Sequence, residues 1–370
     1  MSKGRRILFL THSLGGGGSE RVTVNVANHL AESGWEVGVI PLVHSLVDYP
    51  LNERVARDIS LPQGGHRLVR GVRKLFHIIG AVRRFDPDII VSLGAGYGYL
   101  VLAQLFHRHK LITSLRNDPD FLFRGHRGRE LAYRATFMLS TRIVFQTTGA
   151  AGYFSPRLRR KAEIIGNPLR EGLTHNDTPF ARRSREIVSF GRLLPQKRLD
   201  VLVSAFALFR QRFPTYTLTL FGRGPERDNI SRLVASLGLE EVVKIEDFRR
   251  DIHERIRGSS MYVLSSDVEG VSNAMLEAMA IGLPAACTDC PPGGARETIN
   301  RYETGALAEV GNARSLADAM ESIAGSPERA DSMITRGRLL LDEMSSSVVY
   351  AQWVRLLETV GGRCGHPIPA

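Results

Sequence analysis

The chain has 370 residues, 43% hydrophobic and 24% charged, the proportions of a folded protein with an ordinary core, which excludes disordered and collagen-like classes. Three cysteines, Cys287, Cys290 and Cys364, are too few for a disulfide framework and point to a reducing compartment. The net charge of +11 sits wholly in the first half: residues 1–180 hold 25 Lys and Arg against 14 Asp and Glu, and residues 181–370 hold 24 of each.

In chain order, Lys3, Arg5 and Arg6 precede only the short apolar run Ile7–Leu10, so no signal peptide is expected. β-like runs at Arg6–Leu10, Glu36–Ile40, Asp88–Leu93, Lys110–Leu115, Ile143–Gln146 and Ala162–Ile165 alternate with helical patterns such as Glu20–Glu32. The uncharged stretch Ile89–Phe106 is broken by Gly94, Gly96 and Gly98 and reads as strand, loop and helix, not as a membrane span. Residues 66–84 hold six Lys and Arg and no acid. Leu68, Val72, Leu75, Ile79 and Val82 recur there at helical spacing, with Arg70, Arg73, Lys74 and Arg84 on other faces. Such a basic amphipathic helix suits an anionic bilayer surface, and equally a core-packed helix with a solvated basic face.

The polar stretch Glu171–Arg185 reads as a linker between a first domain, 1–175, and a second, 186–346. Alternation then resumes with strand Ile187–Phe190, helix Leu199–Phe213, strand Thr217–Phe221 and helix Glu226–Leu237. Strand Val242–Ile245, helix Ile252–Arg257, strand Met261–Leu264, helix Asn273–Ile281 and strand Pro284–Cys287 follow. A final helix, residues 347–361, is expected to pack back on the first domain. This pattern predicts α/β architecture with two parallel sheets, whose ligands gather at the carboxyl ends of the strands.

Several loops at those ends could carry chemistry. Gly15-Gly16-Gly17-Gly18-Ser19-Glu20-Arg21 opens the first helix and lets backbone N–H groups approach an anion. No Gly-Lys-Ser/Thr follows, so it is not a P-loop, and the third glycine and ribose-binding acid of a dinucleotide site are missing. Gly191-Arg192 with Lys197 suits a pyrophosphate. Gly222-Arg223-Gly224-Pro225 reads first as a tight turn. In Asp267–Ala280, Ser272 or Asn273 can cap a helix that aims donors at an anion, while Glu269 and Glu277 can accept from sugar hydroxyls. Cys287-x-x-Cys290 lacks further metal ligands at suitable spacing, so the chemistry reads as metal-independent, with no cofactor.

Together these segments resemble family 4 of the retaining glycosyltransferases, which have the GT-B fold. The likeness runs through Gly15–Arg21, Gly191-Arg192…Lys197, Gly222–Pro225, Glu269-x7-Glu277 and Pro291-Pro292-Gly293-Gly294, in order. It implies two facing Rossmann-like domains with a cleft between them, and a nucleotide-sugar donor held mainly by the second. By that resemblance Arg192 and Lys197 would bind the diphosphate and Glu269 the transferred sugar. Backbone amides of Gly270, Val271, Ser272 and Asn273 would meet phosphate or sugar, and Glu277 the ribose. The loop Asp247–Ile252, with Phe248 and Arg249, would contact the base. In the first domain Gly16, Gly17 and Arg21 would contribute to the sugar or acceptor site. Where many relatives have a histidine, this chain has Arg116-Asn117-Asp118-Pro119, so Arg116 and Asn117 become the candidates for sugar contact.

The basic first half then suggests a glycan or polyprenyl-diphosphate-linked acceptor at an anionic membrane surface, reached through residues 66–84. The resemblance to surface-glycan transferases of hexoses or N-acetylhexosamines favours a UDP-sugar, in a cytoplasmic protein peripheral on the inner face of the cytoplasmic membrane. The rival readings are a GT-B epimerase or phosphorylase, a nicotinamide oxidoreductase, and a basic nucleic-acid-binding protein. No nucleic-acid-binding motif accompanies the basic segments, so nucleic acid is not the expected partner.

Overall fold

Central strands buried on both faces, alternating with helices that cover them, build both halves of the chain. The computed structural model describes residues 6–15, 17–45, 48–58, 66–106 and 109–362, without the side chains of Arg67, Leu68, Leu105 and Phe106. Gly16 and Cys364, and the side chain of Leu68, therefore lie outside the described residues. The chain divides into two units: unit 1 takes residues 1–166 and 349–370, and unit 2 takes Asn167–Val348.

Unit 1 begins with β1 (Arg6–Thr11), α1 (Gly18–Glu32), β2 (Glu36–Pro41) and β3 (Ala56–Arg57). It continues through α2 (Arg67–Phe85), β4 (Ile89–Leu93), α3 (Tyr97–Phe106), β5 (Lys110–Leu115), α4 (Pro119–Phe123) and α5 (Arg127–Leu139). β6 (Arg142–Phe145), α6 (Thr148–Gly152), α7 (Pro156–Arg159) and β7 (Ala162–Ile164) complete this run. All seven strands are parallel, in the order β3-β2-β1-β4-β5-β6-β7.

Unit 2 holds β8 (Ser184–Phe190), α8 (Leu199–Phe209), β9 (Thr217–Phe221), α9 (Arg227–Ser236), β10 (Val243–Glu246) and α10 (Ile252–Ile256). Next come β11 (Ser259–Leu264), α11 (Asn273–Ala280), β12 (Ala285–Thr288), α12 (Gly294–Tyr302) and β13 (Gly305–Ala308). Helices α13 (Ala313–Ala324), α14 (Pro327–Arg336) and α15 (Arg338–Glu343) follow, and the last helix, α16 (Ser346–Gly361), returns to unit 1 from Val349 onward. The six strands are parallel in the order β10-β9-β8-β11-β12-β13. In both sheets the strand order reverses beside the first strand, and that reversal opens the crevice in which doubly wound sheets bind ligands.

The period-two alternation of each strand decides which core a side chain joins. In β1, Ile7 and Phe9 pack with α1 and α16, through Val26, Leu30, Val349 and Trp353. Leu8 and Leu10 point to the opposite layer, where Ile78 and Val82 of α2, Leu100 of α3 and Phe137 of α5 cover them. Unit 2 repeats the plan, with Ile187 facing α8 and α13, and Val188 facing α10 and α11.

Two local readings change. Residues Glu171–Arg185 belong to unit 2, because their polar groups satisfy its backbone instead of solvent. Asn176 Nδ2 donates to the Arg257 carbonyl (2.7 Å), and the buried Arg183 donates to the carbonyls of Asn176 and Thr178 (2.6 and 2.9 Å). Burial pushes the Arg183 guanidinium pKa down to about 10. In α2 the apolar stripe is buried only in its second half, at Ile78, Ile79, Ala81 and Val82, while Val69, Val72 and Phe76 are exposed. Among the described residues no helix is long and apolar enough to cross a membrane.

Candidate active site

The strand-order reversal of unit 2 lies between β8 and β11, and the loops leaving their carboxyl ends are stitched together. Asp267 N donates to the Gln196 carbonyl (2.9 Å) and Ser265 Oγ to the Lys197 carbonyl (2.8 Å). Arg198, in a left-handed conformation (φ 45°), bridges Asp200 and Asp267 at 3.0 and 3.1 Å. Those two carboxylates push its guanidinium pKa up. The result is a fixed frame that holds Lys197 against Glu269 in a direct ion pair, both side chains about three-quarters buried.

Glycine makes the approach of neighbouring loops possible. A Cβ on Gly222 would lie 1.8 Å from the Gly191 carbonyl oxygen, so the turn after β9 packs backbone-on-backbone against the turn after β8. Gly222→Ala is expected to cost about 1–3 kcal/mol, through overpacking and a positive φ. A urea midpoint equal to that of the unchanged chain would refute this packing. Gly294 likewise meets the Gly270 carbonyl, where a Cβ would lie at 1.9 Å. Glu269 N also donates to the Pro291 carbonyl (3.1 Å), so the Pro291–Gly294 turn backs the Glu269–Gly270 loop.

Helix α11 starts beside that loop. Ser272 is its N-cap, with Oγ accepting from Met275 N (3.4 Å), so the first-turn amides of α11 point out of the carboxyl edge of the sheet. Asn167 Nδ2 donates to the Val271 carbonyl (3.1 Å) and fixes the loop from below. One turn into α11, Glu277 is buried, and His253 Nε2 donates to its Oε2 at 2.9 Å. Phe190 stands edge-on to the His253 ring, with centroids 6.0 Å apart.

A small recess lined by Gly191, Arg192, Lys197, Ser265 and Ser266 opens at this point. Among the described residues, Ser266 Oγ and Asn273 Oδ1 are buried without a hydrogen-bond partner, which marks a surface suited to a polar ligand. Arg192 is exposed at the rim. Phe248 is exposed on the loop after β10, and Arg249 beside it pairs with Asp251 (2.9 Å). Gly191, Arg192, Lys197, Glu269, Gly270, Val271, Ser272, Asn273 and Glu277 thus share one edge of one sheet, with Phe248 and Arg249 two strands away. His253 and Ser266 were not singled out from the sequence. Cys287 and Cys290 are buried close by, and burial pushes the Cys290 thiol up to about 12, so neither presents a thiolate near neutral pH.

Two cationic side chains and a helix N-terminus at one edge can neutralise a doubly charged anion. Glu269 in the adjoining loop and Glu277 in α11 can accept from hydroxyls. The combination suits a ligand that is phosphorylated at one end and a polyol at the other.

In unit 1, Gly17 is the N-cap of α1, and its carbonyl accepts from Tyr49 Oη (3.3 Å) and Arg21 N (3.2 Å). Glu20 is buried under this turn and accepts from Ser19 Oγ (2.8 Å). Arg116 and Asn117 leave the end of β5, separated from the β1 loop by β4. Burial pushes the Arg116 guanidinium pKa down to about 10. Asn117 Oδ1 accepts from Asp118 N (2.8 Å), and Asp118 caps α4 by accepting from Phe121 N (2.8 Å), which shapes the turn that presents Arg116.

Comparison with known proteins agrees with the fold of both units. Residues 17–169 match the family model "Glycosyl transferase 4-like domain", and residues 173–340 match "Glycosyl transferases group 1". An uncharacterised glycosyltransferase of Haemophilus influenzae is 25% identical over 365 residues, covering 95% of this chain and 100% of its own. The N-acetylgalactosamine-N,N'-diacetylbacillosaminyl-diphospho-undecaprenol 4-alpha-N-acetylgalactosaminyltransferase of Campylobacter jejuni is 29% identical, covering 86% of this chain and 90% of its own. Anabaena HepE, solved in complex with UDP, superposes with a TM-score of 0.78 at 18% identity, over 96% of this chain and 100% of its own. The two family models follow one another along nearly the whole of both parallel-sheet units, and the chain belongs to the GT4-type glycosyltransferases of GT-B fold.

Proposed function

We propose that the chain is a retaining, metal-independent glycosyltransferase that moves a hexose or N-acetylhexosamine from a UDP-sugar. The acceptor in this reading is a glycan or a polyprenyl-diphosphate-linked glycan, at an anionic membrane surface on the cytoplasmic side. The observation that carries it is the Lys197–Glu269 ion pair, held across the β8–β11 loops beside the α11 N-terminus. Support for the donor comes from HepE, which was solved with UDP, and support for the acceptor from the Campylobacter relative, whose name includes an undecaprenol diphosphate.

In this reading Lys197 and Arg192 neutralise the diphosphate, and their charge lowers the barrier as the bond from the anomeric carbon to phosphate oxygen breaks. Glu269 accepts from hydroxyls of the departing sugar, and Glu277 from the ribose. Amides of Gly270–Asn273 bind phosphate or sugar, and the loop with Phe248 and Arg249 meets the base. The acceptor oxygen bonds to the anomeric carbon on the face that UDP leaves, and its proton passes to the leaving phosphate oxygen. No enzyme nucleophile is then needed, and the side chains supply the positive charge a metal would otherwise bring. Gly16, Gly17, Arg21, Arg116 and Asn117 serve the sugar or acceptor from unit 1.

The test is a thermal-shift series with UDP, GDP, ADP, CMP and NAD in the presence of EDTA. At about 100 times its dissociation constant a ligand adds roughly 2.7 kcal/mol. That moves the midpoint of a unit of this size by about 5 °C or more. A selective shift with UDP that Lys197→Ala abolishes is the expected result. A shift with GDP alone would overturn the UDP assignment, and no nucleotide shift would overturn the donor site.

A further inference from the structure

One layer of unit 1, formed by α2, α3, α4, α5 and α6, departs from the rest of the surface. Sixteen large hydrophobic side chains are exposed among the described residues, and nine of them fall between Val69 and Tyr153, on or beside these helices. The opposite layer, α1 and α16, contributes only Val348. The most exposed are Leu131 of α5 at 70% and Phe76 of α2 at 65%, with Met138 of α5 at 55%. Helices α2 and α3 leave between them an open groove of about 510 Å³, lined by Val72, Leu75, Tyr99 and Leu102 together with Arg70 and Lys74.

The charge on the same layer is mainly positive, with Asp120 of α4 paired to Arg124 and Arg84 of α2 paired to Asp58, each at 3.1 Å. From Arg70 onward α2 carries five Lys and Arg and no acid, α3 carries no charge, and α5 carries three arginines against Glu130 alone. Glu130 is already paired with Arg134 at 2.8 Å. A surface that offers aliphatic side chains to hydrocarbon and cations to phosphate matches the interface of an anionic bilayer, which presents both at one depth. The exposed residues here are mainly aliphatic, while single-stranded nucleic acid is gripped by stacking on aromatic platforms.

We infer that the whole α2–α3–α5 layer, not α2 alone, is a docking face for anionic phospholipid membrane, with the α2–α3 groove receiving lipid hydrocarbon. The inference rests on the reading that this enzyme meets its acceptor at an anionic membrane. It extends that reading to the exposed apolar side chains of α3 and α5, among them Leu102, Leu131 and Met138. Cations near such a surface each add to binding, and the apolar side chains add what they bury.

The test is sedimentation of the full chain with vesicles of phosphatidylcholine, and of phosphatidylcholine mixed with phosphatidylglycerol. Two paired variants are compared, Arg70→Glu/Arg73→Glu in α2 and Leu131→Glu/Met138→Glu in α5; all four side chains are exposed, so the fold is spared. The unchanged chain is expected to pellet only with the mixed vesicles, and each pair to lower the partition coefficient by at least about tenfold. If the α5 pair pellets like the unchanged chain, the three-helix face is refuted and only α2 remains a candidate. Equal pelleting with both vesicles would refute the anionic component. Retention on single-stranded RNA without vesicle binding would replace the membrane with nucleic acid. The UDP thermal shift is measured on the same samples. If it is present while pelleting fails, the docking face falls and the donor site stands. If pelleting occurs without it, the donor reading falls and the docking face stands.

Discussion

Lys197→Ala is expected to lower turnover by about 100-fold or more while the chain stays folded, and Glu269→Ala to do the same, because in the proposed site each removes a preorganised charge beside the breaking bond. The two side chains form one ion pair, so their effects are coupled. Either single variant leaves the partner's charge partly buried without its counterion, and the double variant removes both charges together. The double variant should therefore lose much less than the product of the two single losses. A split in the kinetics separates the roles. Lys197→Ala should raise the KM for the donor as well as lower kcat, since a diphosphate is charged in both ground and transition states. Glu269→Ala should act mainly on kcat. Full turnover in both variants would remove the β8–β11 loops from the chemistry.

Trp353→Ala is expected to destabilise unit 1 by about 3–5 kcal/mol. Trp353 is fully buried in α16, packed with Val349 and Leu357 into the core that also holds Ile7, Phe9, Val26 and Leu30. For a unit of this size the loss should lower its melting midpoint by about 10 °C. Unit 2 contains none of these residues and should keep its UDP response. Calorimetry showing an unchanged first-unit transition would contradict the packing of α16.

Much of this fold is legible in the sequence, for one physical reason. Parallel strands buried on both faces appear as short runs of apolar and β-branched residues without interior charge, so Lys110–Leu115 and Thr217–Phe221 have the same bounds in sequence and structure. The strand β3 has two residues, Ala56 and Arg57, both exposed, and leaves no pattern to find. β13 is Gly-Ala-Leu-Ala, with little β propensity, and without it α13 to α15 did not register as a continuation. At the site, glycine spacing and the Glu269-x7-Glu277 pattern led to the loops that the structure brings to one edge. His253 escaped because its partner lies 24 residues away on another element, and Ser266 because a serine after a strand is ordinary until its hydroxyl proves buried. Val72 and Phe76 show the converse. Helical periodicity located α2 but could not tell which part of its stripe has a core to meet.

The chain leaves unit 1 at Gly166, builds all of unit 2, and returns at Val349 to supply the side chains that finish the first core. During synthesis the ribosome must therefore translate the entire second unit before the first unit can close. Until then Val26, Leu30 and Trp35 present an unfinished apolar surface to whatever binds nascent chains. Unit 2, continuous in the chain, has no such delay and can fold ahead of the unit that precedes it. The order in which the two halves mature is thus the reverse of the order in which they begin to be made.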